Sequence, residues 1–375
     1  MKAAIFLRVV ILIACTLPDS ASSDQELVQR TLQACEESLA ARKLEERTVA
    51  RRTEAIEKLR QERRQRRLDT SKHSSTIVTV NTTGTDLFGS STGDVVEPDT
   101  ITGPYYIKGN LIRDDMREDQ EGVVMYIDVQ VIDVSSCDPV KGMYVEFMHA
   151  NATGVNSGVV VSTNGDSVDM SNLNATFLRG ATPTDEDGVA QMVSIFPGHS
   201  ADRATHLFFI GNYGGTVLEN RTYMGGSVSH VAQFFFDQDL ITSVEALPPY
   251  STNNEPLTLN KDDGFLQQAI ASGFDPIMTY ALFGDTVDDG LFVWISVAVN
   301  MSAERDVAAN SALSSKNSTL SMTSSDSSAS GGATSITTTT ANTASRTCKF
   351  GGFVALIVAF APIFLELKYV NGPLL

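Results

Sequence analysis

The chain has 375 residues, 42% of them hydrophobic and 19% charged, with 45 acidic against 28 basic side chains and a formal net charge of -17. This suits one good-sized globular domain with appendages, and it argues against nucleic acid as a partner, because phosphate binding needs concentrated Lys and Arg. The four cysteines, Cys15, Cys35, Cys137 and Cys348, are too few and too scattered for a disulfide framework or a zinc cluster.

Residues 1–23 read as a secretory signal peptide: Lys2 and Arg8 flank a short apolar run over 9–17, and Ala21, Ser22 and Ser23 supply small residues for cleavage. The run is too short to span a bilayer. Secretion would make glycosylation acceptors of the sequons at Asn81, Asn151, Asn174, Asn220, Asn300 and Asn317. Residues 24–68 are a basic segment, helical by composition, in which Val28, Leu32, Cys35 and Leu39 form one stripe and Val49, Ile56 and Leu59 a weaker second one. Two readings stand side by side. The segment is an amphipathic helix packed on the domain or on another chain, or it is a propeptide released after the basic run Arg64-Gln65-Arg66-Arg67. Residues 69–99, rich in Ser, Thr, Gly and Asp, read as a linker.

From residue 100 the pattern is that of strands. Met125, Ile127, Val129 and Val131 alternate with Tyr126, Asp128 and Gln130. Further strands are expected over 144–148, 189–195, 205–210, 231–236 and 291–299, with a short helix over 262–272. Strands separated by Gly, Pro, Asn and Asp turns argue an all-β domain, a β-sandwich, over 100–303. No Gly-rich phosphate loop and no Gly-x-Ser-x-Gly elbow occurs.

Residues 304–347, dominated by Ser, Thr, Ala and Gly, are expected to form a disordered stalk. Residues 348–375 end the chain with a hydrophobic tail, which reads as a GPI signal or as a membrane anchor interrupted by Pro362. The expected location is therefore secreted, or on the extracellular face of the plasma membrane.

The chemistry-bearing motifs lie inside 100–303. Gly103-Pro104-Tyr105-Tyr106 comes first. His149-Ala150-Asn151-Ala152-Thr153-Gly154-Val155-Asn156 follows, and then Pro183-Thr184-Asp185-Glu186-Asp187-Gly188. Phe196-Pro197-Gly198-His199-Ser200-Ala201-Asp202-Arg203-Ala204-Thr205-His206-Leu207-Phe208-Phe209 is the densest, and His230-Val231-Ala232-Gln233 closes the series. In this order the motifs resemble the intradiol ring-cleavage dioxygenases, most closely their secreted eukaryotic branch.

That resemblance implies a ferric ion held by two Tyr and two His, which binds a catecholate while oxygen enters between the hydroxyl-bearing carbons. Carried over residue by residue, the first Tyr position is Asn156, the second is Ser200, the first His is His206 and the second is Phe208. Arg203 and Gln233 match the Arg and Gln that lie near the reacting centre in the family. His149, His199 and His230 stand where secreted relatives commonly carry His. The resemblance also implies that the basic helix could serve as a dimer contact.

Asn and Ser are neutral, poor ligands for a ferric ion, Phe cannot bind, and one imidazole does not hold iron against water. The expectation is thus a dioxygenase-like protein with no cofactor, catalytically inactive. Its partner would be an aromatic small molecule, which Arg203 could attract, or a surface protein or polymer. The rival reading is an active Fe(III)-dependent dioxygenase that cleaves catechol-type aromatics. Cys35 and Cys137 could pair in an oxidising compartment, although sequence does not decide connectivity.

Overall fold

The computed structural model describes residues 39–70, 94–95 and 102–312, and the alternation along 124–133 organises it. In chain order the elements are α1 (Leu39–Thr70), β1 (Asp94–Val95), β2 (Ile107–Lys108), β3 (Val124–Asp133), β4 (Tyr144–Met148), β5 (Arg179–Pro183), β6 (Val189–Ile195) and β7 (His206–Tyr213). There follow β8 (Thr216–Val217), β9 (Tyr223–Met224), β10 (Ser227–Phe235), α2 (Gln238–Glu245), α3 (Gly264–Ala271), β11 (Thr279–Leu282), β12 (Leu291–Val299) and β13 (Ser311–Ala312).

Two sheets carry the domain. In the first, β3 lies between β12, its parallel neighbour, and β6, its antiparallel one, while β1 and β11 both pair with β12. The second, β10-β7-β4-β5, is antiparallel throughout. Side chains alternate along a strand, so each sheet turns one apolar row toward a shared core. Ile127 and Val129 from β3, Val293 and Ile295 from β12, Val145 and Phe147 from β4, Leu207 and Phe209 from β7, and Phe234 from β10 belong to one buried cluster.

The other face of the first sheet carries Tyr126, Asp128 and Gln130, and α1 covers it. Ile56 is buried against Ala281, Phe283, Phe292 and Trp294, with Val49 and Leu59 packed alongside. Thr48 Oγ1 donates to Gln130 Oε1 at 3.0 Å, and Arg63 Nη2 donates to Asp289 Oδ1 at 2.6 Å. Both Arg51 and Arg52 donate to Asp128. The stripe of Val49, Ile56 and Leu59 therefore faces the sheet of its own chain, whereas Val28, Leu32 and Cys35 lie outside the described residues.

The folded unit extends past 100–303 at both ends. Asp94 and Val95, inside the stretch that composition marks as linker, pair with Ser296 and Val297. Arg305 N donates to the Val228 carbonyl at 2.8 Å, and Ser311 and Ala312, inside the expected stalk, pair with Ile107 and Lys108. The two strand pairings join residues about 200 apart in sequence, a range at which local composition is silent. The residues read as signal peptide and hydrophobic tail lie outside the described residues, as do Asn81 and Asn317. Cys137 is disulfide-bonded, and the three other cysteines are outside the described residues.

Candidate functional site

Two glycine turns bring the Pro197-Gly198 segment against the loop that carries Asn156. Gly198 packs so tightly on the 149–156 loop that a Cβ there would stand 2.4 Å from the Asn151 carbonyl oxygen. At Gly154, with φ +83°, a Cβ would stand 2.6 Å from the His199 carbonyl oxygen. Only glycine permits such approach, so the Pro197-Gly198 turn and the Asn156 loop meet backbone to backbone. Asn156 is held in place by neighbouring amides: its N–H donates to Asn164 Oδ1 at 2.7 Å, and its carbonyl accepts from Asn164 Nδ2 at 2.9 Å and Asn172 Nδ2 at 2.8 Å. Ser200, two residues past Gly198, is buried.

After the turn, β7 presents His206 and Phe208 on the face away from the core. In the ladder Phe235 stands opposite His206, and Gln233 stands opposite Phe208. The His206 and Phe208 rings meet edge to face at 4.8 Å. His206 Nδ1 donates to the Ala204 carbonyl at 2.7 Å, which leaves Nε2 as its one basic nitrogen. Burial, reinforced by the Arg203 charge, keeps this imidazole neutral by holding its pKa well below the ordinary value. Phe208 also belongs to an apolar cluster with Tyr106, Met148, Ile210 and Val231.

Arg203 lies beside Gln233, but its charge is already matched. Its Nε donates to Asp263 Oδ2 at 2.8 Å, its Nη2 donates to Gln233 Oε1, and its guanidinium lies 4.4 Å over the Phe265 ring. Asp263 also accepts from Ala204 N and caps α3 through Phe265 N and Leu266 N. Burial works against this carboxylate, yet the Arg203 hydrogen bond and charge outweigh it and lower its pKa. Sequence reading missed Asp263. Asp263 falls inside the helix expected over 262–272, whereas in the fold it caps a helix that begins at Gly264, and nothing local ties it to an arginine sixty residues earlier.

The other histidines do not assemble a second donor set. His149 Nδ1 donates to the Ala150 carbonyl and its Nε2 accepts from Ser194 Oγ, both at 2.7 Å. Burial pushes its pKa down to about 4. His199 has oxygen on both sides, Glu245 Oε1 at 2.8 Å and the Glu255 carbonyl at 2.9 Å. Burial opposes its charge, but these acceptors outweigh that and raise its pKa. His230 lies edge-on to Phe209 at 6.2 Å, on the core side. Among the described residues no group of three or more His, Cys, Asp or Glu side chains is arranged to hold a metal ion.

Tyrosine could supply the phenolates that a ferric ion needs, but the bonded hydroxyls are committed elsewhere. Tyr105 donates to the Thr163 carbonyl, Tyr106 to Glu146, Tyr213 to the Ala303 carbonyl and Tyr250 to the Phe196 carbonyl, while Tyr223 accepts from Gly215 N. At the four positions where the resembled family holds iron, the side chains are an amide, a hydroxyl, one imidazole and a phenyl ring. This set does not fit a ferric ion, which calls for several hard, anionic donors.

No protein-family model matches the sequence, and no curated protein matches it. Among solved structures, an intradiol ring-cleavage dioxygenase from Tetranychus urticae is similar at 24% identity, over 56% of this chain and 97% of its own, with a TM-score of 0.47. The dioxygenase domain of a dioxygenase carbohydrate-binding protein fusion from Streptomyces sp. SirexAA-E matches at 20% identity, over 57% of this chain and 99% of its own, with a TM-score of 0.35. Catechol 1,2-dioxygenase from Pseudomonas arvilla C-1 matches at 20% identity, over 56% and 65%, with a TM-score of 0.36.

Proposed function

We propose that this chain is an extracellular intradiol-dioxygenase-like β-sandwich that does not cleave rings and acts instead as a surface module. The observation that carries this reading is the donor set: Asn156, Ser200 and Phe208 stand at three of the four ligand positions that the resemblance assigns, leaving His206 with one basic nitrogen. One imidazole cannot retain iron against water. Arg203 is neutralised by Asp263 at 2.8 Å, so it offers little to an anionic ring substituent. This favours a surface protein or polymer over an aromatic small molecule as the partner.

The disulfide at Cys137 and the sequons support an oxidising, extracellular setting. Tethering by the C-terminal tail, with the Ser/Thr-rich segment as a spacer, belongs to the same reading, as does a homodimer contact through the N-terminal helix. The test is to express the full chain with added iron, then measure iron per chain, the visible spectrum and turnover of catechol and hydroxyquinol. The expected result is colourless, iron-free protein without turnover. Stoichiometric iron with a tyrosinate-to-iron absorption band and ring cleavage would establish the rival reading of an active dioxygenase.

A further inference from the structure

The face of the second sheet that carries His206 and Phe208 continues along β7 to a different site. Two residues on from Phe208 the ladder pairs Ile210 with Glu146, and next Asn212 with Tyr144. Strand geometry separates these rows by about 7 Å each. Ile210 and Val231 belong to the apolar cluster around Phe208 and lie between its end of the face and this one. Here the segment 304–307, bridged to Val228 at Arg305, borders a cavity of about 470 Å³, lined among others by Tyr106, Glu146, Asn212, Tyr223, Met224 and Val307. That volume falls within the range of small-molecule sites.

Glu146 is 5% exposed and faces the cavity. Its partners are neutral: Asn110 Nδ2 donates to Oε2, Asn212 Nδ2 donates to Oε1 at 2.9 Å, and the Tyr106 hydroxyl donates to Oε1 at 3.5 Å. Among the described residues no Lys, Arg or His forms an ion pair with it. Arg179 is the cation that acts on it, but the Arg179 head is held back by the Ser157 carbonyl at 2.8 Å and by Met148 Sδ at 3.2 Å. A buried carboxylate whose bonded partners are all neutral is costly, and this one borders open space.

We propose that the cavity binds a small organic ammonium ion, with the charge at the Glu146 carboxylate and the body against the rings of Tyr106 and Tyr223. The rim does not reverse this preference, since exposed Glu304 and Asp306 offset Lys108 and Arg305. A hard metal ion would need several oxygen ligands, whereas the floor offers one carboxylate whose lone pairs are largely taken. The walls instead offer a thioether and aromatic faces, which attract organic cations. Tyr223 is fixed for this role: it stacks on Tyr144 with centroids 4.4 Å apart, and its hydroxyl accepts from Gly215 N at 2.6 Å.

The test is calorimetric titration of the full chain at pH 8 with 2-phenylethylammonium and with its neutral counterpart 2-phenylethanol. The ammonium should bind, with the alcohol and the Glu146→Gln variant each weaker by about tenfold or more. Should Glu146→Gln fail to fold by circular dichroism, Ser227→Trp, which fills the cavity from its wall, decides in its place and should also abolish binding. Equal binding of the two probes, a folded variant that keeps full affinity, or no binding of either probe would overturn the proposal.

Discussion

Arg52 Nε donates to Asp128 Oδ1 across 2.8 Å, with the two side chains 4% and 0% exposed. Arg51 and Gln191 donate to the same carboxylate. The helix is thereby bound to the sheet by a buried charge as well as by Ile56. Burial alone would raise the Asp128 pKa, but the Arg52 and Arg51 charges outweigh it and hold it below the ordinary carboxylate range.

Removing that carboxylate should therefore be costly, because two guanidinium groups lose their partner inside the fold. Asp128→Asn is expected to destabilise the protein by about 3–5 kcal/mol in urea unfolding at pH 7. A depressed carboxyl pKa contributes stability that is present above its unfolded value of about 3.9 and lost as pH falls through the folded value. The gap between wild type and variant should accordingly narrow below about pH 4.

The proposed loss of iron makes a constructive prediction. The triple variant Asn156→Tyr, Ser200→Tyr, Phe208→His restores two phenolates and a second imidazole at the assigned positions. Provided that it folds, it should take up about one iron per chain and show a visible charge-transfer band, while wild type shows neither. Metal analysis with a visible spectrum checks this. A folded triple variant without iron would mean that these four positions do not converge as the resemblance implies.

Glu146 gives a pH signature of opposite sign to Asp128. Burial pushes its pKa up to about 7, against the pull of Asn110, Asn212 and Arg179. The folded chain then binds the proton more tightly than the unfolded chain, so this contribution is full below about pH 4.5 and lost as pH rises through 7. Glu146→Gln lacks the titration. Its stability relative to wild type should improve by about 3 kcal/mol between pH 4.5 and pH 8, as read from paired urea melts.

Glycosylation should discriminate among the sequons. Asn174, Asn220 and Asn300 are exposed, whereas Asn151 is half-buried and its Nδ2 donates to Gln120 Oε1 at 3.0 Å. Its Oδ1 also accepts from Thr153 N and Val155 N, which shape the loop that leads to Asn156. Glycan mapping of protein secreted from eukaryotic cells should find Asn174, Asn220 and Asn300 occupied and Asn151 bare.

Much of the fold was legible in advance. The strands over 144–148, 189–195 and 291–299 start and stop where alternation and turn residues place them. β7 and β10 run longer than the 205–210 and 231–236 of the sequence pattern, and in β10 a bulge between Val228 and His230 breaks the alternation. At the site, the motifs name Arg203 and Gln233 but not the hydrogen bond between them, and Asp263 was invisible until the chain brought it back beside Ala204.

The residue types at Asn156, Ser200, His206 and Phe208 are matters of sequence, and so is their weakness as donors, because ligand chemistry belongs to the side chain itself. Alternation likewise sets which residues of β3 share a face. It is silent about what covers that face, since a strand pattern describes one layer and not the next. That α1 lies there, with Asp128 as its anchor, is a tertiary fact. The same holds for Glu146, a lone acid in an apolar strand: its partners Tyr106, Asn110 and Asn212, and the segment 304–307 across the cavity, are remote in the chain and meet only in the fold.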